Sequence, residues 1–179
     1  MRRALVICLI FAAPALAAEP KIEGLSAIAA GGKVSVRFSL AEAFRNGEMV
    51  EALQSGLPTS FTYVVEIFRD RPNWLDENVG RSRVEVICTF NSVTREYLLN
   101  YRRDRKLVRS QTFSDLQSLE EAMTRIDEPE LFEIGRRKHY KLKVRVKADL
   151  MRGWLLYVVP WEESTRWRET RVRNSQAAP

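Results

Sequence analysis

Three well-separated stretches alternate apolar and polar residues with a period of two: Lys33 to Leu40 (KVSVRFSL), Arg83 to Phe90 (RVEVICTF) and Tyr140 to Ala148 (YKLKVRVKA). A period of two sends successive side chains to opposite faces of an extended chain and conflicts with the 3.6-residue period of a helix. Val34, Val36, Phe38 and Leu40 share one face of the first stretch, and Ser35, Arg37 and Ser39 the other. In the third, Leu142, Val144 and Val146 point inward while Lys141, Lys143, Arg145 and Lys147 point outward. A chain of such half-buried strands must cover its apolar faces by stacking one sheet on another or by closing on itself.

The remaining segments fit that frame. Gly31-Gly32 predicts a hairpin turn joining Lys33–Leu40 to an earlier strand from about Ile22 to Ala30. A short helix is expected next, capped by Asn46, with Val50 and Leu53 inward, Gly56 at its C-terminal stop and Pro58 beyond. Phe61 to Arg69 (FTYVVEIFR) reads as a central strand, followed by a loop from Asp70 to Gly80. Glu96 to Arg102 and Lys106 to Phe113 read as hairpin arms around Arg103-Asp104-Arg105. The period then changes: Ser114 to Gln117 has capping-box spacing, and Leu116, Leu119, Met123 and Ile126 share a helical face ended by Pro129. Trp154 to Trp161 (WLLYVVPW) is apolar on both faces, and a last strand is expected from Arg166 to Val172. About eight short strands, two helices and no alternation of strands with helices predict an antiparallel, immunoglobulin-like β-sandwich, with a partly open β-barrel as the alternative.

The ends bound the compartment. Arg2 and Arg3, the apolar run Ala4 to Ala13, Pro14 and the small-x-small Ala15-Leu16-Ala17 have the form of an export signal cleaved after Ala17. The run is well short of the ~20 residues a membrane-spanning helix needs. The expected organisation is a signal over residues 1–17, one domain over 18–173 and a disordered tail over 174–179. Cleavage would remove Cys8 and leave Cys88 alone, so no internal disulfide can form and packing must hold the fold. The formal charge of +6 would suggest nucleic acid in the cytosol. In the periplasm or outside the cell the available anions are lipid head groups, lipopolysaccharide and acidic proteins, which makes nucleic acid an unlikely partner.

The catalytic inventory is thin. His139 is the only histidine, which excludes two-histidine metal sites, and there is no Gly-x-Ser-x-Gly and no phosphate-binding glycine loop. Cys88 alternates in step with Val84, Val86 and Phe90, the setting of a small buried hydrophobe rather than a nucleophile paired with His139. The acid pairs Asp76-Glu77, Glu120-Glu121, Asp127-Glu128 and Glu162-Glu163 are adjacent in sequence, so their carboxylates diverge, and they read as solvated. No cofactor and no enzymatic activity are expected.

Two surface features remain. Arg136, Arg137, Lys138, Lys141, Lys143, Arg145 and Lys147 put seven cations in twelve residues with no acid among them. Trp161 and Trp167, with Arg166 and Arg168, form an aromatic-basic edge. The leader, LQSGLPTSFTYVVEI (53–67), RDRPNWLDENV (69–79), EYLLNY with its following helix, and the C-terminal strand with Trp161 and Trp167 together resemble a bacterial family of unknown function, DUF4390. That resemblance spans about Ile22 to Val172 and implies an exported bacterial protein, with no functional residues to carry over. The expected role is a protein-interaction module of the envelope; the alternative is binding to anionic envelope surfaces through the basic strand.

Overall fold

A computed structural model describes residues 19–45, 47–71, 75–135, 141–155 and 159–175, with side chains omitted over 152–155 and 159–162. The strands are β1 (Lys21–Ala30), β2 (Lys33–Ala41), β3 (Thr59–Arg69), β4 (Glu77–Asn91), β5 (Glu96–Arg103) and β6 (Lys106–Phe113). They continue with β7 (Arg125–Glu133), β8 (Leu142–Leu155), β9 (Val159–Ser164), β10 (Arg168–Arg171) and β11 (Arg173–Asn174). The helices are α1 (Glu48–Gln54) and α2 (Leu116–Thr124).

The strands form two sheets, one ordered β11-β1-β2-β7 and the other β10-β8-β3-β4-β5-β6, with β9 also paired to β8. The protein is a β-sandwich, not a closed barrel. Its core includes the inward residues that the alternation predicted, Val34, Val36, Phe38 and Leu40 of β2 with Val84, Val86 and Cys88 of β4, packed with Phe61, Tyr63, Val65 and Ile67 of β3. Each such buried side chain contributes about 1.5–3 kcal/mol of burial. Phe38 meets Tyr63 edge-on at 5.3 Å, and the Tyr63 hydroxyl donates to the Met123 carbonyl at 2.7 Å. That bond fixes the end of α2 to the centre of the large sheet.

Glycine matters at two places. Gly31 and Gly32 have φ of 60° and 85° and form the β1–β2 turn, with Ala30 opposite Lys33. Gly80 is closely covered: a Cβ there would stand 3.1 Å from side-chain carbons of its pairing partner Ile67 and of Phe132 on β7.

Several boundaries differ from expectation. Asn46 lies outside the described residues; the residue capping α1 is Gly47, at φ 76° with no side-chain bond, and Met49 joins Leu53 inward in place of Val50. Gly56 does take the left-handed stop position, at φ 77°. Asp115, not Ser114, caps α2, accepting from the Ser118 amide at 2.8 Å. The loop expected to run to Gly80 ends earlier, since β4 begins at Glu77.

The largest departure is β7. Ile126 is buried but belongs to a strand, and Pro129 sits within that strand instead of ending a helix. β7 is an edge strand and pairs with β2 across a bulge between Val34 and Val36, where a missing proline N–H is tolerated. Glu130 sits in the bulge at φ 53°, and its amide donates to the Ser35 hydroxyl at 3.1 Å. The single strand expected over 154–161 is instead the end of β8 and the start of β9.

One side of the sandwich is closed by the chain itself. After β10 the backbone leaves the large sheet, the Val172 amide bonding Leu142, and β11 then pairs in parallel with Ile28 and Ala29 of β1. Ser175 donates to the Ala29 carbonyl at 2.8 Å, so Asn174 and Ser175 are held by β1 and do not belong to a frayed tail.

The opposite side is joined by α2, which carries the chain from β6 into β7, and by side chains. Glu128 of β7, expected to be solvated, is 5% exposed and points into the sandwich. It accepts a short hydrogen bond from the Tyr101 hydroxyl and one at 3.0 Å from Arg103, both on β5. Its neighbour Asp127 points outward to Arg37 at 2.7 Å, as divergent adjacent side chains should.

Candidate functional site

The cation row of β8 is held between β3 and β10. Glu66 of β3 lies directly opposite Arg145, and Glu169 of β10 lies opposite it on the other side. Glu66 is 6% exposed although it faces outward. One of its carboxylate oxygens accepts from the Arg145 guanidinium at 2.7 Å, while Arg81 stands 3.6 Å from the other. The Arg145 guanidinium also packs between rings, 4.4 Å from the Phe68 centroid and 4.5 Å from that of Trp167. The buried member is Glu66, which needs the cation, while the Arg145 side chain stays 38% exposed and gains dispersion from the rings.

The other two cations are also met. Lys143 lies 3.4 Å from Asp76, 3.7 Å from Glu169 and 3.8 Å from Asp70. Desolvation opposes its charge, but the three acids outweigh it and raise the ammonium above its ordinary value. Lys147 pairs with Asp149 at 3.0 Å and approaches Trp167. The alternation therefore forms the outward row as expected, yet Lys143, Arg145 and Lys147 offer little uncompensated charge to an anion. Lys141 is exposed, and Arg136, Arg137 and Lys138 lie outside the described residues. His139 lies outside them too.

Trp167 is 41% exposed and belongs to this cluster; its cationic neighbours are Arg145 and Lys147 rather than Arg166 and Arg168. Arg166 and Arg168 flank a groove of about 1080 Å³ that β1 residues Lys21 to Gly24 line from the other side. The Trp161 side chain lies outside the described residues. A shallow trough of about 470 Å³ adjoins the row, lined by Ser60 and Thr62 between Glu85 and Asp149. In its wall Asp149 accepts from Lys147 at 3.0 Å and from the Ser164 hydroxyl at 2.7 Å.

The other notable surface is one that the sequence reading passed over. β6 pairs only with β5 among the described strands and forms one end of the large sheet. Lys106 to Thr112 are all exposed, Leu107 by 61% and Val108 by 54%. The small sheet stops at β7, above β5, so β6 overhangs it; even Gln111, on the inward side opposite Leu99, is open to solvent. The signal available beforehand was weak: RRDRKLVR (102–109) carries five cations and one acid, a shorter run than the one on β8.

Cys88 is fully buried among the inward residues of β4, and burial pushes its thiol up to about 12. It is expected to resist a water-soluble disulfide reagent in the native protein and to react fully after denaturation; rapid native labelling would contradict the core placement. Tyr63 and Tyr101 phenols are raised by the same cause. Groups raised in the fold stabilise it fully below their unfolded values, near 9 for the thiol and 10 for the phenols, and lose that contribution as pH climbs toward the folded values. The melting temperature is therefore expected to fall progressively above about pH 9.

Among the described residues no group of acids, histidines and cysteines could hold a metal ion, and no helix is long and apolar enough to cross a membrane. The arrangement defines a β-sandwich whose most open feature is a sheet edge. The family model for a domain of unknown function, DUF4390, matches residues 17–160, and the chain belongs to that family. No curated protein and no solved structure matches.

Proposed function

We propose that the protein is an exported, non-enzymatic interaction module of the bacterial envelope that docks a partner on β6. The observation that carries this reading is the free edge of β6, eight residues long with seven of them exposed. An unpaired edge presents a row of N–H and C=O groups that invite another strand, and native proteins usually blunt such edges. The other edges among the described strands are blunted or short: β7 carries Pro129 and its bulge, β1 is bulged between Glu23 and Ser26 where β11 leaves it unpaired, β9 carries Pro160, β10 has four residues and β11 two. Export is supported by the n-region, apolar run and Ala15-Leu16-Ala17 of the leader.

A photo-crosslinking amino acid at Val108 in the exported protein in living cells tests the reading. One envelope protein should be captured from position 108 and not from Ser26 on β1. Equal capture from both positions, or none from 108, would remove β6 as the docking edge.

A further inference from the structure

The charges around β6 say what kind of strand would pair with it; this inference rests on the docking reading above. The β5–β6 hairpin turns at Asp104 and Arg105, both at positive φ (49° and 70°). The turn is pinned to β4, where the Asp104 carboxylate accepts from the Arg83 amide at 2.8 Å and from the Ser82 hydroxyl, and the Asp104 amide donates to the Arg83 carbonyl. The single acid of the hairpin tip is thus committed to holding the turn in place. Arg103 is committed to Glu128.

Arg105, Lys106 and Arg109 remain, exposed and in no ion pair among the described residues, as does Arg102, whose cross-strand neighbour Glu85 lies 3.9 Å from Arg83. Arg109 lies 4.3 Å from the Tyr101 ring centroid, which orders its guanidinium without neutralising it. This is the opposite of the β8 row, where Lys143, Arg145 and Lys147 each have an acid. We propose that β6 accepts an extended, acidic segment of another protein as an added strand, with backbone hydrogen bonds supplying the pairing and the tip cations selecting the acid.

Edge cations also discourage sheets from aggregating, and that role needs no partner. Two features point beyond it. Leu107 and Val108 leave apolar surface on the same edge, which a purely protective edge would replace with charge. A second copy of β6 is a poor occupant, because KLVRSQTF contains no acid to meet the cations. An acidic strand meets both the edge and its charge.

The test uses fluorescein-labelled eight-residue peptides of alternating valine with glutamate, threonine or lysine, and fluorescence anisotropy with the purified protein. A fourth probe is the glutamate peptide N-methylated on its two central residues, whose N–H groups point to opposite edges. The glutamate peptide should bind at least ~10-fold tighter than the lysine peptide at low salt, weaken as salt is added, and lose binding on N-methylation. R102E/R105E/K106E should reverse the charge preference. If that variant does not fold, the salt series on the wild-type protein measures the same contribution.

Binding unaffected by N-methylation overturns strand addition. Equal binding of the glutamate and threonine peptides overturns the acidic partner but leaves β6 as a docking edge. No peptide binding combined with crosslinking from position 108 does the same. A dimer through β6 that the glutamate peptide cannot dissociate would make a second copy the occupant and overturn the proposal.

Discussion

Glu128→Ala is expected to lower unfolding stability by about 2–4 kcal/mol, measured by urea denaturation at neutral pH. Breaking one partner out of a buried ion pair commonly costs ~3–5 kcal/mol, and the 40% exposure of the Arg103 side chain places this site toward the lower end. The cost arises because alanine leaves the buried Tyr101 hydroxyl without its acceptor and Arg103 without its countercharge. Glu128→Gln keeps an acceptor for Tyr101 and should lose roughly half as much. A cycle with Tyr101→Phe separates the two bonds: coupling below about 0.5 kcal/mol would mean that the residues do not act together. Since this contact joins β7 to β5, its loss should be felt by both sheets.

Phe38→Ala should be more damaging, at about 3–5 kcal/mol, because the ring is 2% exposed and stacks edge-on against Tyr63. Tyr63 in turn holds the Met123 carbonyl, so the cavity would open beneath the end of α2 as well as between the sheets. A domain with ~5–15 kcal/mol of total stability would lose a large fraction of it. Val108→Ser on β6 should change stability by no more than about 0.5 kcal/mol. The contrast is informative: a loss at Val108 as large as that at Phe38 would mean that β6 is part of the core and not a free edge.

Legibility followed the alternation closely. β2, β3 and β8 were readable because their inward residues are uniformly apolar, and the β1–β2 turn because two glycines adopt positive φ where other residues resist it. β7 was not readable, for a physical reason. Its inward positions are Ile126, Glu128 and Phe132, so a charge interrupts the apolar series and a proline bulge then shifts its phase. Meanwhile Leu116, Leu119, Met123 and Ile126 keep helical spacing across the point where the helix has already ended.

The candidate surface shows a different limit. Spacing alone showed that Lys143, Arg145 and Lys147 share the outer face of β8, and they do. Whether they are available depends on Glu66, Asp70, Asp76 and Glu169, which the fold brings from distant parts of the chain. In the shorter run Arg103 is paired with Glu128, while Lys106 and Arg109 on β6 stay unneutralised because that strand has no second neighbour among the described strands to supply acids.

The two flanks of the sandwich are closed by unlike means: strand pairing on one, a helix crossover and a buried carboxylate on the other. Along β10, β11 and β1 the sheets are stitched by continuous backbone and by the amides of Val172 and Ser175. Along β7 and β5 they are joined by the chain that crosses from β6 through α2 into β7 and by the Glu128 carboxylate. Removing the Glu128 clasp is thus expected to leave that flank held by the α2 crossover alone, and faster amide exchange in β5 and β7 than in β1 would show it.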